Sequence, residues 1–224
     1  MTTRVLILVE GQTEERFVKD VLAPAYWSKE IFFTPTILIT KRVKEGAHFK
    51  GGVTTYGKFE NDIRRLLAGS RGALVTTLID YYGLPTDFPG MNDRPLGSPR
   101  DRVIHVESAI TQDLGSPSNF IPFLLLHEFE AMLFSSIDVL PRVMTQIEHG
   151  PAFAAIRSAV PTPEDINEKP ENAPSKRIER LFPAYKKTLH GPVAAARIGL
   201  EAIKSQCSHF SSWLQQIEQI SATH

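Results

Sequence analysis

Acidic side chains stand at the ends of three apolar runs that predict β-strands. Glu10 follows the first run, Asp80 follows the third, and the fourth is followed by His127, Glu128 and Glu130. The carboxyl ends of parallel strands meet at one edge of a sheet, so we expect these side chains to converge there. Carboxylates brought together repel one another unless a cation neutralises them, and hard oxygen ligands favour Mg²⁺ or Mn²⁺ over Zn²⁺. The pattern therefore predicts a metal site or an acid–base site.

Each of these residues also has an ordinary structural explanation. Glu10 could be a solvated loop residue, and Glu14 could simply complement the dipole of a helix that Thr13 caps. Asp80 could cap a turn, and His127 could be a histidine whose hydrogen bonds are satisfied at a strand end. Three acidic strand ends are harder to attribute to coincidence than one, so we favour the site.

Four apolar or β-branched runs predict the strands that would position these residues, at residues 4–9, 33–40, 73–79 and 120–126. The helical spacing of apolar residues between them predicts helices at 14–23, where Pro24 ends the pattern, and at 57–68 and 100–114. Strands that alternate with helices indicate an α/β fold with an open, mainly parallel sheet flanked by helices.

Two long loops and a helical region complete the predicted layout. Residues 41–56 are polar, basic and glycine-containing, which predicts a mobile loop, and residues 81–99 form a second long loop. From residue 137 onward the spacing is helical, with breaks at 161–174 and at Gly191–Pro192 before a last helix at 193–220. We predict an α/β domain at residues 1–135 and a helical C-terminal extension at 136–224, which packs on that domain or continues it.

The distribution of charge is more informative than its sum. The chain of 224 residues has 25 Lys and Arg against 25 Asp and Glu, so its net charge indicates no particular partner. Basic residues are nevertheless concentrated between residues 175 and 204, and a smaller group comprises Lys41, Arg42, Lys44 and Lys50. Such segregation predicts a basic face, although a solvated helix face explains any single run. The candidate phosphate contacts are Lys176, Arg177, Lys186 and Lys187.

Other signals narrow the function classes by their absence. The single cysteine, Cys207, excludes an internal disulfide framework and fits a reducing compartment. We find neither a secretory leader nor a membrane-spanning apolar run, and so expect a soluble, cytoplasmic protein with no membrane partner. The sequence contains no phosphate loop of the NTPase type, no dinucleotide-binding glycine motif and no nucleophile elbow.

A recognisable motif surrounds Glu10. It reads Val9–Glu10–Gly11–Gln12–Thr13–Glu14 and resembles the first motif of Toprim domains, the fold of topoisomerases, primases and OLD-family nucleases. Asp80 stands at the end of a later strand, where that fold keeps its D-x-D motif. The chain as a whole resembles a bacterial Toprim-like family known mainly by a domain-of-unknown-function label. The matching segments span nearly the whole chain: E-G-Q-T-E from Glu10, D-Y-Y-G-L-P from Asp80, H-E-F-E-A from His127, P-S-K-R from Pro174, Y-K-K from Tyr185, H-G from His190, and residues 207–213.

This resemblance implies phosphodiester chemistry. In Toprim enzymes the glutamate of the first motif acts as a general acid or base and the aspartates hold magnesium, roles that would fall here on Glu10 and Asp80. The sequence departs from the pattern at Tyr82, where the second aspartate would stand, so a metal would need further ligands. The predicted catalytic residues are Glu10, Asp80 and His127. The predicted ligands of Mg²⁺ or Mn²⁺ are Glu10, Glu14, Asp80, Glu128 and Glu130.

Three function classes remain open at this point. The first is a Mg²⁺- or Mn²⁺-dependent nuclease acting on DNA or RNA, together with an ABC- or AAA-type ATPase partner in bacterial phage defence or DNA processing. The second is a catalytically inactive partner or sensor subunit of such an ATPase complex, because Tyr82 replaces an aspartate. The third is a phosphatase or nucleotidyl-transfer enzyme acting on small phosphate esters. The sequence leaves the oligomeric state open.

Overall fold

Five β-strands form one sheet in the computed structural model, which describes residues 2–38, 53–166 and 170–223. The strands are β1 (Thr3–Val9), β2 (Ile31–Ile37), β3 (Leu74–Asp80), β4 (Phe120–Ile121) and β5 (Leu124–Leu125). Their order across the sheet is β2-β1-β3-β4, and β5 also pairs with β3. Every one of these pairings is parallel, so the carboxyl ends of the strands share one edge.

Helices cover both faces of this sheet. They are α1 (Gln12–Phe17), α2 (Ala23–Tyr26), α3 (Tyr56–Gly69), α4 (Pro99–Asp113), α5 (Val139–Val143), α6 (Gly150–Ser158), α7 (Pro174–Leu181), α8 (Lys187–Ile198), α9 (Leu200–Gln206) and α10 (Ser208–Thr223). The prediction of an α/β fold with a mainly parallel sheet, flanking helices and a helical C-terminal part is confirmed. None of the described helices is both long enough and apolar enough to cross a membrane.

Alternating side chains of the strands feed two hydrophobic cores. On one face, Val5 of β1 packs in a cluster with Phe17 of α1 and with Phe210 and Ile217 of α10. On the other face, residues such as Leu8 pack with side chains of α3 and α4. The C-terminal helices therefore share a core with the first strand. The division into residues 1–135 and 136–224 stays a prediction.

The first helix differs from its prediction at both ends. Gly11, rather than Thr13, is the N-cap residue, and no side chain caps the helix. Pro24 does not end the helix, because α1 continues through a π-helical turn at Val18–Leu22 into α2. In that turn the Ala23 N–H donates to the Val18 carbonyl, which shifts the hydrogen-bond ladder just before the proline. The shifted ladder accommodates a residue that has no N–H to contribute.

The predicted fourth strand is present but split. Residues Pro122 and Phe123 separate β4 from β5, because Pro122 has no N–H for the ladder. The Thr77 hydroxyl of β3 replaces the missing ladder contacts: it accepts from the Phe123 N–H at 2.8 Å and donates to the Phe123 carbonyl at 2.7 Å. The strand therefore continues beside β3 and delivers the segment from His127 onward to the carboxyl edge.

The predicted break at Gly191–Pro192 is wrong, since both residues lie inside α8. Pro192 cannot donate to the Thr188 carbonyl one turn earlier, and the guanidinium of Arg16 donates to that carbonyl instead, at 3.2 Å. The predicted single helix at 193–220 is also wrong. It is divided at Gly199, which has a φ of 83°, and again at Cys207.

The two predicted loops have different outcomes. Most of residues 41–56 lies outside the described residues, as do the basic group at Lys41, Arg42, Lys44 and Lys50 and the predicted end of the second strand at residue 40. Tyr56 itself begins α3. The second loop carries no helix or strand between Asp80 and Pro99, as predicted. It packs closely on α4, since a Cβ atom at Gly90 would lie 2.9 Å from the Ala109 Cβ atom.

Candidate functional site

The ends of β1 and β3 bring two of the predicted acids into contact. Glu10 directly follows β1, and Asp80 is the last residue of the neighbouring strand β3. The backbone N–H of Asp80 donates to Glu10 Oε2 at 3.2 Å, although the two residues are 70 positions apart. The parallel pairing of these strands therefore produces the convergence that the sequence predicts.

Helix α1 adds a third carboxylate to the same edge. Glu14 lies in the first turn of α1 and is only 3% exposed. A Cβ atom at Gly11 would lie 3.5 Å from Glu14 Oε2, an ordinary van der Waals distance, so the Gly11 backbone borders this carboxylate. Its position lets the charge of Asp80 act on it directly.

The segment after β5 contributes a fourth carboxylate and fixes Asp80. The Phe129 N–H donates to Asp80 Oδ1 at 2.9 Å, and Phe129 begins a 3₁₀ helix at Phe129–Ser135. The next residue, Glu130, is fully buried and accepts a hydrogen bond from the Tyr185 hydroxyl at 3.3 Å. Asp80 thus links the acids of β1 and α1 to the one that follows β5.

Lys187 places an ammonium group among these acids. Its Nζ atom lies 3.1 Å from Glu130 Oε2 and 3.4 Å from Asp80 Oδ2, and its side chain is 40% exposed. Lys187 is the first residue of α8, which the Arg16–Thr188 hydrogen bond ties to α1. We use the term acidic cluster for Glu10, Glu14, Asp80, Glu130 and Lys187.

Burial and mutual repulsion raise the pKa of every carboxylate in the acidic cluster. Burial, with repulsion from Asp80 and Glu14, raises the pKa of Glu10 to about 8. Burial and the charge of Asp80 raise the pKa of Glu14 to about 7, and burial raises that of Glu130 to about 7 despite Lys187. The pKa of Asp80 is raised by its burial, against the pull of Lys187. One ammonium is therefore too little positive charge for four ionised carboxylates.

Lys187 stays charged in these surroundings. Burial alone would lower the pKa of Lys187, but the attraction of Asp80, Glu130 and Glu14 outweighs it and raises the pKa above its usual range. The ammonium therefore remains protonated at neutral pH.

The carboxylate of Glu128 is hydrogen-bonded to the first turn of a neighbouring helix. Its Oε2 atom accepts from the Ser175 N–H at 2.9 Å, and its Oε1 atom accepts from the Ser175 hydroxyl at 3.1 Å. Ser175 lies in the first turn of α7, where a negative charge is favourable. Glu128 is close enough to the acidic cluster to raise the pKa of Asp80, but its carboxylate is already engaged.

The side chain of His127 lies apart from the acids, although its backbone does not. Burial lowers its pKa to about 4, with slight opposition from Asp165, so the imidazole is neutral at pH 7. Within the described part of the chain its Nε2 atom has no hydrogen-bond partner. The backbone of His127 is engaged at the site, because its carbonyl accepts from the Tyr82 N–H at 3.0 Å. Its catalytic role stays a prediction.

Of the four predicted phosphate contacts, Lys187 is the one that lies within the acidic cluster. Lys176 is exposed and pairs with Glu179 at 2.7 Å. The Arg177 guanidinium donates to the Asn172 carbonyl at 2.8 Å. Lys186 is exposed beside Lys187, and its backbone N–H donates to His190 Nδ1. Tyr82, at the position of the missing aspartate, is 37% exposed.

The acidic cluster fits a hard divalent cation in its donor type and in its charge. Carboxylate oxygens are the ligands that Mg²⁺ and Mn²⁺ prefer, and burial, with repulsion between the acids, raises the pKa of Glu10, Glu14 and Glu130. Across residues 2–38, 53–166 and 170–223, no three His, Cys, Asp or Glu side chains stand in a ready-made ligand arrangement. Lys187 occupies the space between two of the acids instead.

Sequence reasoning missed two partners of the acids, Tyr185 and Ser175, and the central place of Lys187. All three lie in the C-terminal part of the chain. Tyr185 and Ser175 stand in segments whose only predicted significance is a family resemblance, whereas Lys187 is also predicted to contact phosphate. No periodicity or spacing marks Tyr185 as the donor to a carboxylate 55 positions away. For Tyr185 and Ser175, the only available signal was their place in the Y-K-K and P-S-K-R motifs.

The fold and the acidic cluster define a class of protein: an α/β protein with a parallel sheet that carries a carboxylate-rich site at its carboxyl edge. The chain belongs to the family described as Domain of unknown function (DUF4276), whose family model matches residues 9–218. This span includes every member of the acidic cluster. No curated protein and no solved structure matches the chain.

Proposed function

We propose that this protein is a metal-dependent nuclease of the Toprim type that hydrolyses phosphodiester bonds of DNA or RNA with Mg²⁺ or Mn²⁺. The contact between the Asp80 N–H and Glu10 Oε2 carries the proposal, because it joins the two acids of the Toprim-like motifs at one sheet edge. Glu14 and Glu130 supply the further carboxylates that the replacement of an aspartate by Tyr82 requires.

Glu10 is the candidate general acid or base. A carboxyl group whose pKa is about 8 exchanges protons readily near neutral pH, which is the condition for efficient proton transfer. Its hydrogen bond to the Asp80 backbone fixes its orientation.

Asp80, Glu14 and Glu130 are the residues that would hold the metal. When bound, such an ion polarises the phosphate and lowers the pKa of a bound water. The carboxylates would lose their protons as the ion binds, so binding is expected to strengthen as the pH rises.

Lys187 and the basic residues near it are the candidate contacts for the substrate. The Lys187 side chain is 40% exposed, so its ammonium can hydrogen-bond to a phosphate oxygen without unfolding the site. Lys176, Arg177 and Lys186 extend this basic character along α7 and the start of α8. We expect their contribution to appear as a steep dependence of binding on salt.

The test is cleavage of plasmid DNA and of labelled single-stranded DNA and RNA, with Mg²⁺, Mn²⁺ or a chelator. Glu10→Gln and Asp80→Asn are expected to lower the rate at least about 100-fold, the usual scale for loss of an acid–base group. Glu15→Gln is the matched control, since Glu15 neighbours Glu14 but pairs on the surface with Lys19. No cleavage by the wild type, or undiminished cleavage by Asp80→Asn, would overturn the proposal.

A second candidate is a non-catalytic partner or sensor subunit of an ABC- or AAA-type ATPase. The ion pairs of Lys187 with Asp80 and Glu130 favour it, because an internal ammonium already neutralises part of the acidic cluster. The two candidates are separated by titrating the wild type with Mg²⁺ and Mn²⁺ and by testing whether it co-purifies with an ABC- or AAA-type ATPase. Tight ATPase binding without metal binding supports the second candidate, whereas metal binding with cleavage supports the first.

A further inference from the structure

A cleft of about 320 Å³ lies at the β4 side of the sheet, between α4 and α10. It shares no lining residue with the acidic cluster. Along β3, Thr76 beside the cleft is four residues from Asp80, a separation of roughly 13 Å at the rise of a β-strand. The volume is within the range of small-molecule sites in proteins. No residue of this cleft takes part in the proposed nuclease chemistry.

The floor of the cleft is aromatic, and its rings are nearly buried, with Phe123 1% and Trp213 2% exposed. The rings of Phe123 and Trp213 stack with centroids 4.5 Å apart and an interplanar angle of 13°. The imidazole of His209 also stacks on the Phe123 ring, with centroids 5.0 Å apart. The Trp213 indole N–H donates to the Thr76 hydroxyl at 2.8 Å, which fixes the orientation of the indole. Ile104, which is 43% exposed, adds an apolar side wall.

The polar pair inside the cleft is satisfied by the protein. Glu107 Oε1 lies 3.1 Å from His209 Nε2 and accepts from the Leu124 N–H at 2.8 Å. This carboxylate bridges α4, α10 and β5, so its charge is already engaged. The pair therefore stabilises the walls rather than offering a free charge to a ligand.

Arg100 is a charged group at the cleft that forms no salt bridge within 4 Å among the described residues. Its guanidinium donates to the Ser208 hydroxyl at 3.2 Å and to the Ser212 hydroxyl at 3.3 Å. A guanidinium has five N–H donors, so two bonds to neutral hydroxyls leave donors free. The two serines hold the guanidinium at the cleft, where an acidic group of a ligand would accept its remaining hydrogen bonds.

We propose that this cleft binds a small molecule in which an aromatic ring carries an acidic group, a phosphate or a carboxylate. The ring packs on the exposed Ile104 over the edge of the aromatic floor, and the acidic group accepts hydrogen bonds from Arg100. Gln216, which also lines the cleft, has an amide that can hydrogen-bond to the edge of the ring. The inference is independent of any activity at the acidic cluster, because it is tested by binding alone.

The probes are AMP, GMP, CMP, UMP and cinnamate, with adenosine and cinnamamide as matched uncharged compounds. The chain has two tryptophans, Trp27 and Trp213, so Trp27→Phe leaves the cleft indole as the only one. Binding is followed by the fluorescence of Trp213 and by ligand-observed NMR. We expect saturable binding of at least one acid and binding of its uncharged counterpart that is at least tenfold weaker. Binding of nucleotides alone identifies a phosphate ligand, and binding of cinnamate alone identifies a carboxylate.

Variants decide whether the binding occurs in the cleft. Arg100→Gln is expected to weaken binding of the acid at least tenfold and to leave the uncharged compound unaffected. Arg102→Gln is the matched control, because Arg102 lies on the same helix and donates to the Gly97 carbonyl outside the cleft. Ser108→Trp fills the cleft from an exposed position and is expected to abolish binding while the thermal midpoint is kept. Absence of saturable binding by every acid, or equal binding by Arg100→Gln and Arg102→Gln, would overturn the proposal.

Discussion

The ammonium of Lys187 lies 3.1 Å from a carboxylate oxygen of Glu130, a residue whose side chain has no exposure to solvent. The two residues come from different parts of the chain, a 3₁₀ helix after β5 and the start of α8. This ion pair links the sheet edge to the C-terminal helices. It also makes the acidic cluster sensitive to changes at a single lysine.

Replacing Lys187 by Met is expected to destabilise the protein. The substitution leaves Glu130 buried without its cation, a change that costs about 3–5 kcal/mol when a pair is fully buried. We expect about 1–3 kcal/mol here, because the lysine side chain is 40% exposed and water screens part of the interaction. Denaturant unfolding measures this loss. Lys186→Met is the control, and an equal loss in both variants would contradict the role of the ion pair.

Stability is expected to fall as the pH rises from about 5 to about 8. Burial raises the pKa of Glu10 from 4.5 to about 8, so in this window the folded protein holds a proton that the unfolded chain has released. The stability that this proton contributes is present below pH 4.5 and is lost as the pH passes through the folded value. Glu14 and Glu130, with pKa values raised to about 7, act in the same direction.

Denaturant unfolding at several pH values checks this dependence. Glu10→Gln, which cannot ionise, is expected to flatten the curve between neutral pH and pH of about 8. Glu15→Gln is expected to keep the wild-type curve. A wild-type curve that rises with pH across the window would contradict the raised pKa values.

Glu164 is expected to stabilise α10 from a distant segment. Its two carboxylate oxygens accept from the His209 N–H at 2.9 Å and from the Phe210 N–H at 3.0 Å, the first turn of that helix. Glu164→Ala removes both acceptors from buried donors and is expected to cost about 1–3 kcal/mol. Thermal unfolding measures it, with the exposed Glu179→Ala as control. A loss no larger than that of the control would show that the cap contributes little.

Arg16 and Pro192 are expected to be coupled through the Thr188 carbonyl. In the wild type Arg16 donates to this carbonyl because Pro192 has no N–H. Pro192→Ala restores the helical donor, so Arg16→Gln is expected to cost about 0.5–1.5 kcal/mol in the wild type and clearly less in the Pro192→Ala background. A double-mutant cycle by denaturant unfolding gives the coupling. Equal losses in both backgrounds would contradict the exchange of donors.

The strand layout and the convergence of acids were predictable because they depend on local patterns. Each strand is a short apolar run, and parallel pairing brings Glu10 and Asp80 to one edge whatever the intervening loops do. The split of the fourth strand follows from Pro122, which interrupts the hydrogen-bond ladder locally. The hydrogen bonds that the Thr77 hydroxyl supplies in its place are not visible in the sequence.

The place of Lys187 was not predictable, because it depends on how α8 packs against α1. Its basic neighbours suggested a solvent-facing phosphate contact, yet its ammonium reaches Asp80 across 107 positions of the chain. The helix break predicted at Gly191–Pro192 was wrong for a related reason. The rule that proline ends a helix assumes an unsatisfied carbonyl, and Arg16 satisfies that carbonyl from another helix.

The central claim is that acids from separate strand ends act as one cation site, and calorimetric titration with Mn²⁺ tests it most directly. We predict one saturable site in the wild type, with proton release that appears as a dependence of the heat on the buffer. Asp80→Asn should abolish the binding, and Glu15→Gln should keep it. No binding by the wild type, or full binding by Asp80→Asn, would contradict the account.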